Sequence, residues 1–237
     1  MKSTEAIILA GGFGTRLRHL IKDVPKPMAP VNGIPFLQFL LKKLQKSGIE
    51  HVILSTGYLH EKIETYFGHS FENLSITYSR EFEPLGTGGA IKLALTKAQT
   101  EHISILNGDT LFDIDLSRFI RFYQEKGEYL AIALRKVEDV SRYGAVKINE
   151  ENKIIGFAEK NELQGEGLIN GGIYLLNRKL FTTQKEEKTF SFEKDILEKQ
   201  YQTNNFFGLP FDSYFIDIGI SEDYNRAQTE LSAYAPF

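Results

Sequence analysis

The stretch that decides the fold is Ala6-Ile7-Ile8-Leu9-Ala10-Gly11-Gly12-Phe13-Gly14-Thr15-Arg16-Leu17. Its apolar first half predicts a buried parallel strand, and three glycines open the carboxyl end of that strand. Glycines at this point let backbone N–H groups approach a phosphate or a base without a Cβ in the way. Arg16, and Lys26 ten residues later, add two positive charges. Together these features suit an extended polyanion such as a nucleoside triphosphate.

The glycine spacing differs from that of the two commonest phosphate-binding loops. Gly11, Gly12 and Gly14 do not form G-x-G-x-x-G, and no G-x-x-x-x-G-K-[ST] occurs in the chain. A dinucleotide-dependent dehydrogenase is disfavoured further because Asp23 comes too early to be the acidic ribose contact of that fold. From this segment alone, a glycine-rich turn carrying two solvated cations remains an alternative.

Composition indicates a soluble globular protein. The 237 residues carry a net charge of −3, which does not indicate a nucleic-acid-binding face. The absence of cysteine excludes disulfide scaffolds and thiolate chemistry. The apolar runs are too short to span a membrane, and the first strand follows the N-terminus without a signal peptide. We therefore expect a cytoplasmic protein. The sequence leaves a homo-oligomer open.

Strands and helices alternate through the first half of the chain, and strands dominate the second. The predicted strands are 6–10, 51–56, 75–78, 102–107, 129–135, 144–148, 154–159, 168–175 and 214–217. The predicted helices are 35–47, 60–67, 87–100, 117–125, 190–199 and 221–232, the last with Ser221 as N-cap. This order predicts one α/β domain over 1–237, Rossmann-like, with a mostly parallel mixed sheet and helices on both faces. We call 1–115 the nucleotide half and 116–237 the acceptor half.

Two aspartates stand at predicted strand ends, Asp109 after Asn107 and Gly108, and Asp217 before Gly219. Ligands of such sheets bind at the carboxyl ends of the strands. A pair of carboxylates suits Mg²⁺, which takes one or two of them together with phosphate oxygens. The competing interpretation is that each aspartate caps a turn. Asp113 and Asp115 are rival ligands nearby, although Asp115 is better placed as a helix N-cap.

Residues 9–17 (LAGGFGTRL) and 25–28 (PKPM) resemble the signature of the sugar-1-phosphate nucleotidylyltransferases. Further segments carry the resemblance through the chain: 81–90 (EFEPLGTGGA), 142–146 (RYGAV), 157–160 (FAEK), 170–174 (NGGIY) and 214–219 (YFIDIG). The resemblance implies a glycosyltransferase-A-like fold and transfer of a nucleotide to a sugar 1-phosphate. Two positions depart from the family pattern, Asn161 and Ser221 where proline is usual. Both concern turn geometry.

The resemblance also implies roles for individual residues. Catalysis falls to Arg16, Lys26, Asp109 and Asp217, and Mg²⁺ binding to Asp109 and Asp217. Nucleotide contacts fall to Leu9, Ala10, Gly11, Gly12, Gly14, Thr15, Arg16, Lys26, Glu81, Gly86, Thr87, Gly88, Asn107 and Asp109. Sugar-phosphate contacts fall to Tyr143, Gly144, Glu159, Lys160, Asn170 and Gly171.

The chemistry requires no general base, since a sugar 1-phosphate is already largely dianionic at neutral pH. This accounts for motifs without a placed histidine, and the five histidines are expected to be structural or solvated. By the family pattern Glu81 reads the base edge. A carboxylate there matches the two adjacent donors of guanine better than uracil or thymine, which favours GTP. Within the family, the resemblance of residues 23–31 (DVPKPMAPV) and 168–176 (LINGGIYLL) implies a heptose 1-phosphate as the acceptor. Mannose 1-phosphate with GTP, N-acetylmuramate 1-phosphate with UTP, and a non-catalytic sugar-nucleotide sensor are the alternatives.

Overall fold

The computed structural model describes residues 4–12, 14, 17, 19–21, 23–160, 162–182 and 188–234. Within these ranges an eight-stranded sheet forms the centre of the molecule. Its order from edge to edge is β13 (Phe206–Phe211), β9 (Leu130–Val137), β12 (Gly167–Asn177), β7 (His102–Asn107), β1 (Glu5–Leu9), β4 (His51–Thr56), β6 (Leu74–Arg80) and β5 (Ser70–Phe71). Only β12 and β5 run against the other six. The predicted mostly parallel mixed sheet is confirmed.

Helices connect the strands and cover both faces of the sheet. They are α1 (Phe36–Lys46), α2 (His60–Phe67), α3 (Gly86–Leu95), α4 (Leu116–Glu125), α5 (Glu198–Gln200) and α6 (Ser221–Glu230). A π-helical turn, Phe192–Leu197, precedes α5, and 3₁₀ turns lie at Lys26–Met28, Arg178–Phe181 and Leu231–Tyr234. Three strand pairs stand outside the main sheet: β2 (Pro30–Val31) with β3 (Ile34–Pro35), β8 (Thr110–Phe112) with β14 (Phe215–Asp217), and β10 (Ala145–Ile148) with β11 (Ile154–Ala158).

The alternation of side chains along β1 explains why both faces need cover. Ala6 and Ile8 point into the core beneath α1, α2, α4 and α6, whereas Ile7 points into the core beneath α3 and the π-helical turn. All three residues are fully buried. A strand that is apolar on both sides is stable only where a layer covers each face, so the first strand predicts a three-layer domain.

Strand β12 joins the two halves of the chain. It pairs antiparallel with β7 of the nucleotide half and with β9 of the acceptor half. The sheet is therefore continuous from one half into the other. No helix among the described residues has the length and apolarity that crossing a membrane requires.

The structure differs from the sequence prediction at β13 and at the start of α6, and it adds the short strands β2, β3, β5 and β8, which were not predicted. Strand β13 was not predicted, because Gly208 and Pro210 interrupt its apolar run; proline is tolerated here because β13 is an edge strand. Ser221 is the first residue of α6 and not its N-cap, a position held by Ile220. The Ser221 hydroxyl lies 3.1 Å from His19 Nε2 instead. The Asp115 cap is confirmed, since its Oδ1 accepts from the Arg118 backbone N–H at 2.9 Å.

Candidate active site

A cavity of about 600 Å³ opens at the carboxyl ends of β1, β4, β6 and β7. Three strand ends meet in it, at Gly11 and Gly12, at Gly57, and at Asn107 with Asp109. Eight of the predicted nucleotide contacts line this cavity: Leu9, Gly11, Gly12, Glu81, Gly86, Thr87, Asn107 and Asp109. Parallel strands thus converge on one binding site, as expected for an open α/β sheet.

The remaining predicted nucleotide contacts lie elsewhere or outside the described residues. Ala10 is fully buried behind the cavity wall. Gly88 is buried in the first turn of α3, where a Cβ would collide with the ring of Phe190. The structure thus gives Gly88 a packing neighbour. Thr15 and Arg16 fall outside the described residues.

Glu81 forms part of the cavity wall. Its Oε2 accepts from the backbone N–H of Leu85 at 3.1 Å, and its Oε1 lies 3.5 Å from the Ser55 hydroxyl. A Cβ on Gly11 would stand 2.5 Å from Oε1, so the carboxylate occupies the space that this glycine leaves. Burial raises the pKa of Glu81, and the hydrogen bonds from Leu85 and Ser55 oppose that rise.

Lys26 and Asp217 lie close to Asp109, which lines the cavity. Lys26 Nζ donates to Asp109 Oδ2 at 2.6 Å and lies 3.8 Å from Asp217 Oδ1. The pairing of β8 with β14 brings the two aspartates together, and Ile218 N–H donates to the Asp109 carbonyl at 3.0 Å. Gly14, at φ +58°, lets the glycine loop pass close to the Lys26 stem, since a Cβ there would stand 2.9 Å from Lys26 Cβ.

The two carboxylates of Asp109 and Asp217 form a donor set that fits a hard divalent cation. The side chains of Asp109 and Asp217 are each about one-third exposed, and a single ammonium group approaches both. Burial and the neighbouring Asp109 carboxylate raise the pKa of Asp217. Within the described ranges no cluster of three or more histidine, cysteine or acidic side chains could enclose a metal. Two carboxylates suit Mg²⁺, which fills its other positions with water and substrate oxygens.

Asp113, the rival ligand, is engaged elsewhere. Its Oδ1 accepts from Lys43 Nζ, which also donates to the Ile114 carbonyl at 2.9 Å. The structure therefore separates Asp113 from the pair formed by Asp109 and Asp217.

The predicted sugar-phosphate contacts form a second group, none of which is among the described residues that line the cavity. Tyr143 packs its ring edge against Phe215, and Gly144 approaches the Ala158 carbonyl, where a Cβ would come within 2.7 Å. Glu159 and Lys160 are exposed at the end of β11. Lys194 Nζ lies 3.3 Å from Glu159 Oε1.

Strand β12 connects the second group to the cavity. Asn170 donates from Nδ2 to the Tyr174 hydroxyl at 2.9 Å, and its Oδ1 accepts from Gly172 N–H at 3.0 Å. Gly171 is buried against Phe112. Gly172 abuts Asn107, whose Nδ2 would lie 2.8 Å from a Cβ at that position. The second group and the cavity are thus contiguous through Asn107.

Sequence reasoning missed several residues of the cavity wall: Tyr58, His60, Arg80, Phe82 and Glu193. Glu193 comes from the acceptor half, and its Oε2 accepts from the Thr87 hydroxyl at 2.6 Å and from the Ser191 hydroxyl at 3.1 Å. A glutamate in an amphipathic helix is normally solvated, so no signal in the sequence marked it. Both ring nitrogens of His60 lie within 3.2 Å of acidic side chains, Glu61 and Glu64.

Known proteins match this chain over most of its length. The family model described as nucleotidyl transferase matches residues 5–233. The chain belongs to the nucleotidyl transferase family. A D-glycero-alpha-D-manno-heptose 1-phosphate guanylyltransferase from Aneurinibacillus thermoaerophilus is 49% identical over 97% of this chain and 99% of its own length. A protein of the same name from Campylobacter jejuni is 48% identical, over 93% of this chain and 96% of its own length.

Solved structures agree on the fold. The crystal structure of HddC from Yersinia pseudotuberculosis superposes with a TM-score of 0.86 at 36% identity, over 96% of this chain and 99% of that one. A second crystal structure of HddC is a complex with GMP-PN and superposes with a TM-score of 0.84.

Proposed function

We propose that this enzyme transfers a GMP group from GTP to D-glycero-α-D-manno-heptose 1-phosphate, which yields a GDP-sugar and pyrophosphate. The observation that carries the proposal is the full-length similarity to guanylyltransferases of that name. The residues of the cavity support it, because Glu81 provides a carboxylate for a base edge, and Asp109 brings Lys26 close to the cavity as a positive charge for phosphates.

The proposal orients GTP along the cavity. Guanine lies at the Glu81 end, where the carboxylate accepts from N1–H and the 2-amino group. The glycine backbone at Gly11 and Gly12 lies along the nucleotide, and the triphosphate extends toward Lys26 and Asp109. Arg16 adds a second cation to the triphosphate in this proposal.

The transfer is an in-line displacement at the α-phosphorus. An oxygen of the acceptor phosphate forms the new P–O bond, the bond from the α-phosphorus to the bridging oxygen breaks, and pyrophosphate departs with that electron pair. No proton has to be removed from the nucleophile, because the acceptor phosphate is already ionised. The protein's task is to neutralise charge and to hold the reactants in line. In this proposal Lys26 does both.

Asp109 and Asp217 are the residues we assign to Mg²⁺. When bound, the ion supplies positive charge that offsets the negative charge of the triphosphate and the leaving group. Lys26 Nζ lies 2.6 Å from Asp109 Oδ2 and 3.8 Å from Asp217 Oδ1. The lysine therefore balances part of their charge, and in this proposal it also contacts the phosphates.

The acceptor sugar is assigned to the second group of residues. Lys160 holds the phosphate, and Glu159 and Asn170 hydrogen-bond to sugar hydroxyls. Tyr143, Gly144 and Gly171 shape the pocket around them. We place the reaction in the cytoplasm, where GTP is available, and assign the product to the synthesis of cell-surface polysaccharide.

The test is a panel of the four common nucleoside triphosphates against heptose, mannose and N-acetylmuramate 1-phosphates, scored by pyrophosphate release. We expect GTP with the heptose 1-phosphate to have the highest kcat/KM, and chelation by EDTA to abolish turnover until Mg²⁺ is restored. A preference for UTP with N-acetylmuramate 1-phosphate, or for mannose 1-phosphate, would replace the assignment with that activity. Tight binding of GDP-sugar without turnover of any pair would identify a sensor.

A further inference from the structure

Phe82 is far more exposed than any other large apolar side chain in the described part of the chain. Its exposed fraction is 94%, whereas Tyr66 and Ile155 reach 54% and Leu20 reaches 46%. Single exposed apolar residues are common on protein surfaces. This one, however, lines the nucleotide cavity and directly follows Glu81.

The backbone around Phe82 is held at both ends, so loose attachment of the loop does not explain the exposure of the ring. Glu81 N–H donates to the Thr56 carbonyl at 2.8 Å, and Leu85 N–H donates to Glu81 Oε2 at 3.1 Å. On the far side, Phe190 N–H donates to the Leu85 carbonyl at 3.0 Å. The loop is fixed on the strands and on the acceptor half, and it presents an uncovered phenyl ring at the cavity.

We propose that the Phe82 ring stacks on the face of the nucleotide base while Glu81 reads the edge of the same base. The inference rests on the proposed function and names a further residue of its binding site. Successive Cα atoms lie only 3.8 Å apart, so the carboxylate and the ring can contact one purine. An aromatic ring that is exposed in the free protein gains most when a flat, weakly hydrated surface covers it.

In this proposal Phe82 contributes affinity for the base, and Glu81 contributes selectivity between bases. Stacking is tolerant of base identity, because every base presents a π face. A carboxylate at the edge discriminates, because it requires donors at fixed positions. Phe82 therefore sets how tightly a purine nucleotide binds, and Glu81 sets which purine is preferred.

The first experiment uses the absence of tryptophan from the chain. In Phe82→Trp the indole is the only one present, and we expect its emission to fall on titration with GTP and to stay constant with inorganic tripolyphosphate, which has no base. The matched control is Tyr66→Trp, at the far end of α2 and absent from the cavity wall. Its emission should respond to neither ligand. A Phe82→Trp emission that GTP leaves unchanged, while calorimetry records binding, would overturn the proposal.

The second experiment uses Phe82→Ala, which leaves the edge contact in place. We expect the KM for GTP and for ITP to rise about tenfold each, the size typical of a lost aromatic stack, with kcat within twofold and the GTP-to-ITP ratio unchanged. Unchanged KM values in a variant that turns over normally would contradict stacking and leave the guanylyltransferase assignment intact. If the unmodified enzyme turned over no triphosphate, the proposed function would fail, and the emission titration would still decide whether Phe82 covers a base.

Discussion

At the scale of single residues, the pair Asp109 and Asp217 is distinguished from other acidic side chains by what surrounds it. Both carboxylates face Lys26, whereas Asp113, four residues after Asp109, is paired with Lys43. Sequence reasoning could single out Asp109 and Asp217 because each ends a strand that the apolar pattern identifies. It could not show that Lys26 would lie between them, since this depends on how the glycine loop packs.

We predict that Asp217→Asn lowers kcat by about two to three orders of magnitude, because a neutral amide no longer holds the cation. Asparagine keeps the shape of the side chain, and its Oδ1 can still accept from Gly219 N–H, a bond of 2.7 Å in the structure. Circular dichroism should therefore show an unchanged fold. Asp113→Asn is the matched control and should keep kcat within twofold. Pyrophosphate release by Asp217→Asn at the rate of the unmodified enzyme would exclude the metal assignment.

Glu81 should govern the choice between guanine and hypoxanthine. Inosine triphosphate keeps N1–H and lacks the 2-amino group, so one charged hydrogen bond is lost. Such a bond contributes about 1.5–3 kcal/mol, which corresponds to a preference for GTP over ITP of roughly tenfold to a hundredfold in kcat/KM. In Glu81→Gln the preference should shrink, because an amide offers one acceptor to two donors. Equal use of GTP and ITP by the unmodified enzyme would remove Glu81 from this role.

The same substitution should stabilise the protein at neutral pH. Because burial raises the pKa of Glu81 in the folded state, the folded chain holds this proton more tightly than the unfolded chain does. Stability is therefore lost as pH rises through the interval between the unfolded and the folded pKa. Glu81→Gln avoids this loss, so its gain in Tm should be greatest at neutral pH and vanish below the unfolded pKa of about 4.3. A lower Tm at pH 7 would contradict the burial argument.

At the scale of elements, helix α3 shows how one glycine-rich turn can form part of a cavity wall and of a packing contact at once. One side of its first turn faces the cavity through Gly86 and Thr87. The other side receives the acceptor-half segment, since Gly88 N–H donates to the Phe190 carbonyl at 3.0 Å and Phe192 N–H donates to the Thr87 hydroxyl at 2.9 Å. The family resemblance predicts nucleotide contacts for this segment, but the partner on its other side lies about a hundred residues away and leaves no local signal.

We predict that Gly88→Ala destabilises the protein by about 1–3 kcal/mol, because the new methyl group would overlap the Phe190 ring and force a shift of packed residues. Urea denaturation measures the change. The control is Gly12→Ala, where nothing lies within 4 Å of the added Cβ. That variant should unfold at the urea concentration of the unmodified enzyme while its KM for GTP rises. Equal stability of Gly88→Ala and Gly12→Ala would show that the helix and the segment around Phe190 do not pack as closely as described.

At the scale of the whole molecule, sequence and structure agree where the apolar pattern is strong and differ where long-range pairing decides. The buried parallel strands β1, β4 and β7 were predictable, because each is a continuous apolar run. Strand β13 was not predictable, because Gly208 and Pro210 interrupt its apolar pattern. The strand forms at the edge of the sheet by pairing with β9. Glu193 reached the cavity for a similar reason, because only tertiary packing brings its helix onto Thr87.

We predict that the chain unfolds as one cooperative unit, because β12 ties the sheet of the acceptor half to β7 of the nucleotide half. In urea, far-ultraviolet circular dichroism and tyrosine fluorescence should follow the same transition, and GTP should shift both midpoints equally. Two separated transitions, of which GTP moved only one, would divide the chain into two domains and contradict the expected single domain over 1–237.

The pairing of β12 with β7 also affects how such enzymes can diversify. A hybrid gene that joined the first half of one relative to the second half of another would pair β7 of one protein with β12 of the other. It would also combine residues of two proteins where Phe190 packs against α3. Recombination at the middle of the chain is therefore a poor route to a new sugar nucleotide. Stepwise exchange of side chains that line the cavity leaves the pairing of β7 with β12 unchanged. Directed evolution of this enzyme should therefore begin with libraries of point mutations at the residues that line the cavity, and not with recombination of the two halves of related chains.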